Sequence, residues 1–164
     1  MNKKSLLIVL IVMIAAFGLF ADDSPFGSHY NDSNLMARLA VGTNGSSFAV
    51  YPGVEYIFTQ VDFANGVFPV DFGGLLEGYL GYGNSQLGLG AAAYVTAHLG
   101  LAKIDVEFVE NLDIFFGIGF GFLGSPTLTG ISGISYFFDP NTSIFVEYNY
   151  FASSSGCLGI QFLL

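Results

Sequence analysis

The residues of this 164-residue chain that could do chemistry are two His, one Cys and thirteen Asp and Glu, set against only four Lys and Arg. His29 and His98 could act as general acid or base beside Ser, Asp or Glu, and Cys157 as a nucleophile. None of them has the neighbours such work needs. His29 lies in the polar stretch Gly27-Ser28-His29-Tyr30, which reads as a loose leader. His98 falls in an alternating apolar run, and Cys157 has no His at an adjacent strand position. No Gly-x-Ser-x-Gly elbow and no zinc-like ligand spacing occurs. The many Gly-x-Gly pairs lack the strand-to-helix context of a phosphate-binding loop. The expectation is a protein without catalysis, metal or cofactor. Nucleic acid is excluded as a partner, because neutralising phosphates requires clustered Lys and Arg.

The segment that begins the chain sets its compartment. Lys3 and Lys4 precede an apolar run from Leu6 to Phe20, and Ala21 is followed by Asp22 and Asp23. That order is read as a secretory signal peptide over residues 1–21, cleaved after Ala21. Residues 22–34 then form a polar N-terminal segment, and residues 35–164 a single domain. Cleavage removes two of the four basic residues and leaves Arg38 and Lys103 against all thirteen carboxylates. The single Cys157 can form no intrachain disulfide, so hydrogen bonding and packing must hold the fold.

The composition is 52% hydrophobic, 16% aromatic and 10% charged, whereas soluble chains carry ~25% charged residues. Beyond the signal, no apolar stretch is long enough for a spanning helix. A chain this apolar without such a helix points to a closed sheet, the other structure that satisfies every backbone group inside lipid. Strict alternation supports it. From Leu87 to Leu101 the odd positions are Leu, Ala and Val, while Gly, Ala, Tyr94, Thr96 and His98 occupy the even ones. From Leu112 to Leu123 the stripe Leu112, Ile114, Phe116, Ile118, Phe120, Phe122 opposes a row rich in Gly. Phe48 to Thr59 repeats the pattern, with Pro52 removing one ladder bond.

The charges decide which face is inside. Arg38, Glu55, Asp71, Glu77, His98, Asp113 and Glu147 all lie opposite the apolar stripe of their strand. These are too few to solvate the exterior of a soluble barrel. The aliphatic and aromatic face is therefore expected to meet lipid, and the Gly-rich face to line the lumen.

Eight strands are expected: Leu35 to Thr43, Phe48 to Thr59, Pro69 to Tyr82, Leu87 to about Leu101, Leu112 to Leu123, Leu128 to Phe138, Ser143 to Phe151, and Gly156 to Leu164. Ten is the alternative. An even number puts both termini at the periplasmic side. The connections Asn44-Gly45-Ser46, Asn84-Ser85, Gly124-Ser125-Pro126 and Ser153-Ser154-Ser155 would then be external, with Asp139-Pro140-Asn141-Thr142 an inner turn. A two-residue turn at Asn84-Ser85 pairs Gly83 with Gln86, Glu77 with Ala92 and Asp71 with His98, where the carboxylate would favour a protonated imidazole. The bland alternative makes His98 a solvated rim residue. Two segments resist the pattern. Lys103 to Glu110 carries its apolar residues at shifted parity and needs a bulge or a rim extension. Leu128 to Phe138 is apolar on both faces.

The run FFDPNTSIFVEYNYF, Phe137 to Phe151, resembles the late strand–turn–strand of small outer-membrane barrels of the OmpA and OmpW transmembrane kind. The last strand is similar to the signature read by the barrel-insertion machinery in that family, here Gly159, Phe162 and Leu164. It departs in having Leu158 where the family has a large polar residue, and Leu rather than Phe at the end. The resemblance implies an all-β, antiparallel up-and-down barrel in an outer membrane, with membrane lipid and the insertion machinery as partners.

Two functions stay open on these residues. One is a narrow conduit for small solutes. It would prefer cations, because Glu55, Asp71, Glu77, Asp113 and Glu147 line the lumen and Arg38 neutralises only Glu55. The Gly row, which projects no side chains inward, favours that reading. The other is a closed, envelope-stabilising barrel, since eight strands enclose a space that side chains can just fill. A lipid-modifying barrel enzyme is the remote third, and it would want its residues at the outer rim rather than near the periplasmic end, where His98 falls. Short external turns of Asn, Gly and Ser offer few anchors for a protein partner.

Overall fold

The computed structural model describes residues 27–30, 35–44, 47–63, 68–83, 85–104, 106–151 and 155–164. The expected signal peptide over residues 1–21 lies outside the described residues, as do residues 22–26 and 31–34 and the turn residues Gly45, Ser46, Asn84, Ser153 and Ser154.

Eight antiparallel strands follow one another around a closed ring. They are β1 (Leu35–Asn44), β2 (Ser47–Phe63), β3 (Phe68–Gly83), β4 (Gln86–Gly100), β5 (Leu112–Phe122), β6 (Pro126–Asp139), β7 (Thr142–Asn149) and β8 (Ser155–Leu163). Each strand pairs with the next. The ring shuts where β1 meets β8, from Met36 opposite Leu163 to Thr43 opposite Gly156. The end at which β1 begins and β8 finishes is called the near end below, and the opposite one the far end.

Alternation does the sorting. Odd-numbered residues of β4 such as Leu87, Leu89 and Val95 are exposed, while Ala92, Tyr94, Thr96 and His98 are buried inside. On β5, Phe116, Ile118, Phe120 and Phe122 point out and Asp113 and Phe115 point in. The outer wall is predominantly apolar, with Ile118 63% and Phe120 69% exposed. Pro52 points outward, and the β2–β3 register is interrupted at Tyr51 and Pro52, as a residue without an N–H requires.

The structure resolves both awkward segments. On β6, Thr129, Ile131, Ser135 and Phe137 face inward and Leu128, Ile134 and Phe138 outward. It reads as apolar on both faces because part of the lumen is itself apolar. Lys103 to Glu110 belongs to no strand. Val109 and Glu110 both donate to the Val106 carbonyl, and Asn111 Nδ2 donates to the Glu107 carbonyl at 2.8 Å, giving a compact loop on the near-end rim. A bulge between Ile57 and Thr59 lets β2 run on to Phe63, beyond the expected Thr59. β7 stops at Asn149, short of the expected Phe151.

The hairpin at residues 84 and 85 sets Gly83 opposite Gln86, Glu77 opposite Ala92 and Asp71 opposite His98, the register its two-residue turn dictates. Ser85 takes a φ of 60°, in the left-handed region that such tight hairpin turns use.

Candidate functional site

The chemistry-bearing residues converge inside the ring, because every strand turns its polar parity inward. Arg38, Glu55, Asp71, Glu77, His98, Asp113 and Glu147 are all buried there. Arg38 on β1 is held by two carboxylates, Nη1 to Glu55 Oε2 at 3.0 Å and Nη2 to Glu147 Oε2 at 2.8 Å. Its guanidinium carbon lies 4.5 Å and 4.9 Å from the ring centroids of Phe145 and Phe115. A delocalised cation between two ring faces keeps favourable contacts after losing its water.

His98 forms the second node. Its Nε2 lies 2.9 Å from Glu55 Oε1 and its Nδ1 2.8 Å from Asp113 Oδ2, the arrangement of an imidazolium donating from both nitrogens. Thr96 donates a short hydrogen bond to the same Glu55 oxygen. Asn149 Nδ2 donates to Glu77 Oε1 at 2.7 Å and reaches Glu147 Oε1 at 3.3 Å. Asp71 takes a hydrogen bond from Ser28.

Several expectations are corrected here. Glu147 and Asp113 do not lack basic partners: one is paired with Arg38 and the other faces His98. Asp71 stands opposite His98 in register, yet the imidazole bonds Glu55 and Asp113 instead. Asp113 approaches diagonally from β5, and Glu55 is long enough to reach across from β2. His98 is not a rim residue, being 1% exposed.

The N-terminal stretch is no loose leader where it is described. Gly27 N donates to Gly100 O at 3.0 Å, and His29 Nε2 lies 3.1 Å from the Leu112 carbonyl. Tyr30 then enters the near-end mouth. Its hydroxyl donates to Asp113 Oδ2 at 2.9 Å and lies 3.0 Å from His98 Nδ1. No sequence signal marked Tyr30, which sits among small polar residues and outside any alternating run. Two open clefts of about 490 and 500 Å³ flank this segment, lined in part by His29 and Ser28, and Tyr30 lines neither.

Apolar layers lie on either side of the network. Tyr30, Met36, Ile57, Phe137 and Leu163 cluster at the near end, with the His29 ring stacked on Phe137 at 4.6 Å. Tyr51, Tyr79 and Phe151 pack together toward the far end, where the Phe151 N–H donates to Asn149 Oδ1. Inward rings rest over part of the glycine row. A Cβ at Gly121 would collide with the Phe151 ring, one at Gly159 with Phe145, and one at Gly133 with Phe115. These glycines are the floor on which inward rings lie flat, a device that pins strand register.

The C-terminal signature residues divide between faces. Gly159 lies under Phe145 inside, while Phe162 and Leu164 point outward. Cys157 is buried against Gly42. Among the described residues, no group of His, Cys, Asp and Glu has the geometry of a metal site.

No family model matches this chain, and no curated protein matches it. Solved structures do. One, described as de novo design of transmembrane beta-barrels, is 20% identical with a TM-score of 0.53, over 80% of this chain and 96% of that one. A second, described as the solution NMR structure of de novo designed TMB2.3, is 15% identical with a TM-score of 0.50, over 82% and 98%. The likeness is to the fold.

The docked tyrosine gives a direct test of the network. Tyr30→Phe removes the hydroxyl shared between Asp113 and His98 and keeps the ring. It should lower unfolding stability by about 1–3 kcal/mol, the cost of leaving buried polar partners unsatisfied. Denaturant titration followed by far-UV circular dichroism reads this out. An unchanged midpoint would mean that Tyr30 does not hold the mouth.

Proposed function

We propose that this protein is a closed, non-catalytic β-barrel of an outer membrane that serves the envelope structurally. The observation that carries the reading is a barrel turned inside out relative to soluble ones. Its exposed wall is apolar, and its charged residues are gathered inside, where Arg38 and His98 pair with Glu55, Asp113 and Glu147 between apolar layers. Such a wall is stable against hydrocarbon and costly against water. The insertion machinery would read Gly159, Phe162 and Leu164 on the last strand, next to the seam. Catalysis is disfavoured because His98, Glu55 and Asp113 are buried, with both imidazole nitrogens held by the two carboxylates.

One observation favours the conduit reading. Five inward carboxylates face two inward basic residues, Arg38 and His98, among the described residues, and an acidic lumen selects for cations. The two readings separate in a planar bilayer under a salt gradient. The closed barrel gives no stepwise conductance. Steady cation-selective steps from the wild-type protein would overturn it in favour of the conduit, and anion-selective steps would count against both.

A further inference from the structure

The loop between β4 and β5 presents apolar side chains that the barrel leaves largely exposed. Val106 is 54% and Phe108 63% exposed, although the loop is internally hydrogen bonded and held to β6 by Phe137 N donating to Asn111 O at 2.8 Å. Phe108 does not point away from the wall. Its ring stacks on Tyr136 of β6 at 5.2 Å, with an interplanar angle of 22°. Tyr136 lies on the outward parity of β6, between the exposed Ile134 and Phe138. The apolar surface of the loop is thus continuous with the apolar wall of the barrel. Lys103 and Glu107 are exposed on the same loop, so charge and apolar surface occur together within a few residues.

We propose that this loop is an in-plane membrane anchor, with Phe108 and Val106 seated at the boundary between headgroups and acyl chains on the near-end leaflet. The proposal rests on the membrane-barrel reading and adds to it a contact made outside the strands. Interfacial segments of this kind hold an apolar face at the headgroup boundary and keep their charges in water. Phe belongs on the apolar face of such segments, and the Tyr136 ring beneath Phe108 is of the type enriched at that depth. The loop would help to fix how far the barrel sits in the bilayer.

The chain contains no tryptophan, so a single one is a clean reporter. Phe108→Trp keeps an aromatic ring for the stack on Tyr136. The variant is folded into phosphatidylcholine vesicles brominated either near the headgroup or near the acyl terminus. Ile118→Trp, in the middle of β5, serves as the depth reference. The expected result is blue-shifted emission from Phe108→Trp, quenched most by bromine near the headgroup, while Ile118→Trp is quenched most by the deeper bromine. Emission at the water position without quenching, with Ile118→Trp still quenched, overturns the anchor and leaves the membrane barrel standing. Blue-shifted emission that neither bromine quenches also overturns it, because the ring is then covered by protein, including a second copy. Loss of quenching at both positions overturns the membrane reading and the anchor with it.

Discussion

Arg38→Met should destabilise the barrel by about 3–5 kcal/mol, the cost of removing one partner from a buried ion pair. The loss is electrostatic first. Glu55 and Glu147 both spend an oxygen on the guanidinium and are almost wholly shielded from solvent. Methionine fills much of the space between Phe115 and Phe145, so packing changes little. The triple variant that adds Glu55→Gln and Glu147→Gln removes the uncompensated charges and should recover a large part of the loss. Urea titration of the folded barrel, followed by circular dichroism or by migration of unheated samples on gels, reads both. If the triple variant were as unstable as Arg38→Met alone, the cause would be lost packing against the two rings.

The second large effect is on the opposite face. Ile118→Arg places a cation mid-strand on the exposed wall, where a charge at the bilayer midplane costs about 2–4 kcal/mol. Ile118 is flanked on its own strand by the exposed Phe116 and Phe120, and Val95 faces it from β4. Carboxylates in the lumen cannot reach an outward guanidinium. Assembly should fall in lipid vesicles, with unfolded protein left at its heat-denatured gel position. Normal assembly and an unchanged urea midpoint would show that this face does not meet hydrocarbon, and the proposed membrane placement would fall with it.

The wall was legible in the sequence because alternation with a period of two is a local property, readable strand by strand. The inward parity of Arg38, Glu55, Glu77, Asp113 and Glu147 follows from it, as does the register of the tight hairpin that sets Asp71 opposite His98. What fills the lumen was not legible. Side chains there meet across the ring from strands that are not neighbours, as Thr96 and Glu55 do, or Asn149 and Glu77. Counting charges along one strand cannot reveal such meetings, so the carboxylates looked unpaired. The glycines misled for a related reason. A missing side chain reads as space in one dimension, whereas in the ring it is where Phe145 or Phe151 comes to rest. Tyr30 was illegible for want of any period at all. Its role depends on where the chain enters the mouth, which residues 27–30 do not encode by pattern.

The two partners of Arg38 differ sharply in when they can be met. Glu55 is 17 residues away across the first hairpin, whereas Glu147 is 109 residues away, on the far side of the seam. An open ribbon of strands can make the first contact early, after closing a short loop. The second exists only once β1 has found β8, and contacts of such long sequence separation form late and slowly. Seam formation and neutralisation of Glu147 are therefore a single event.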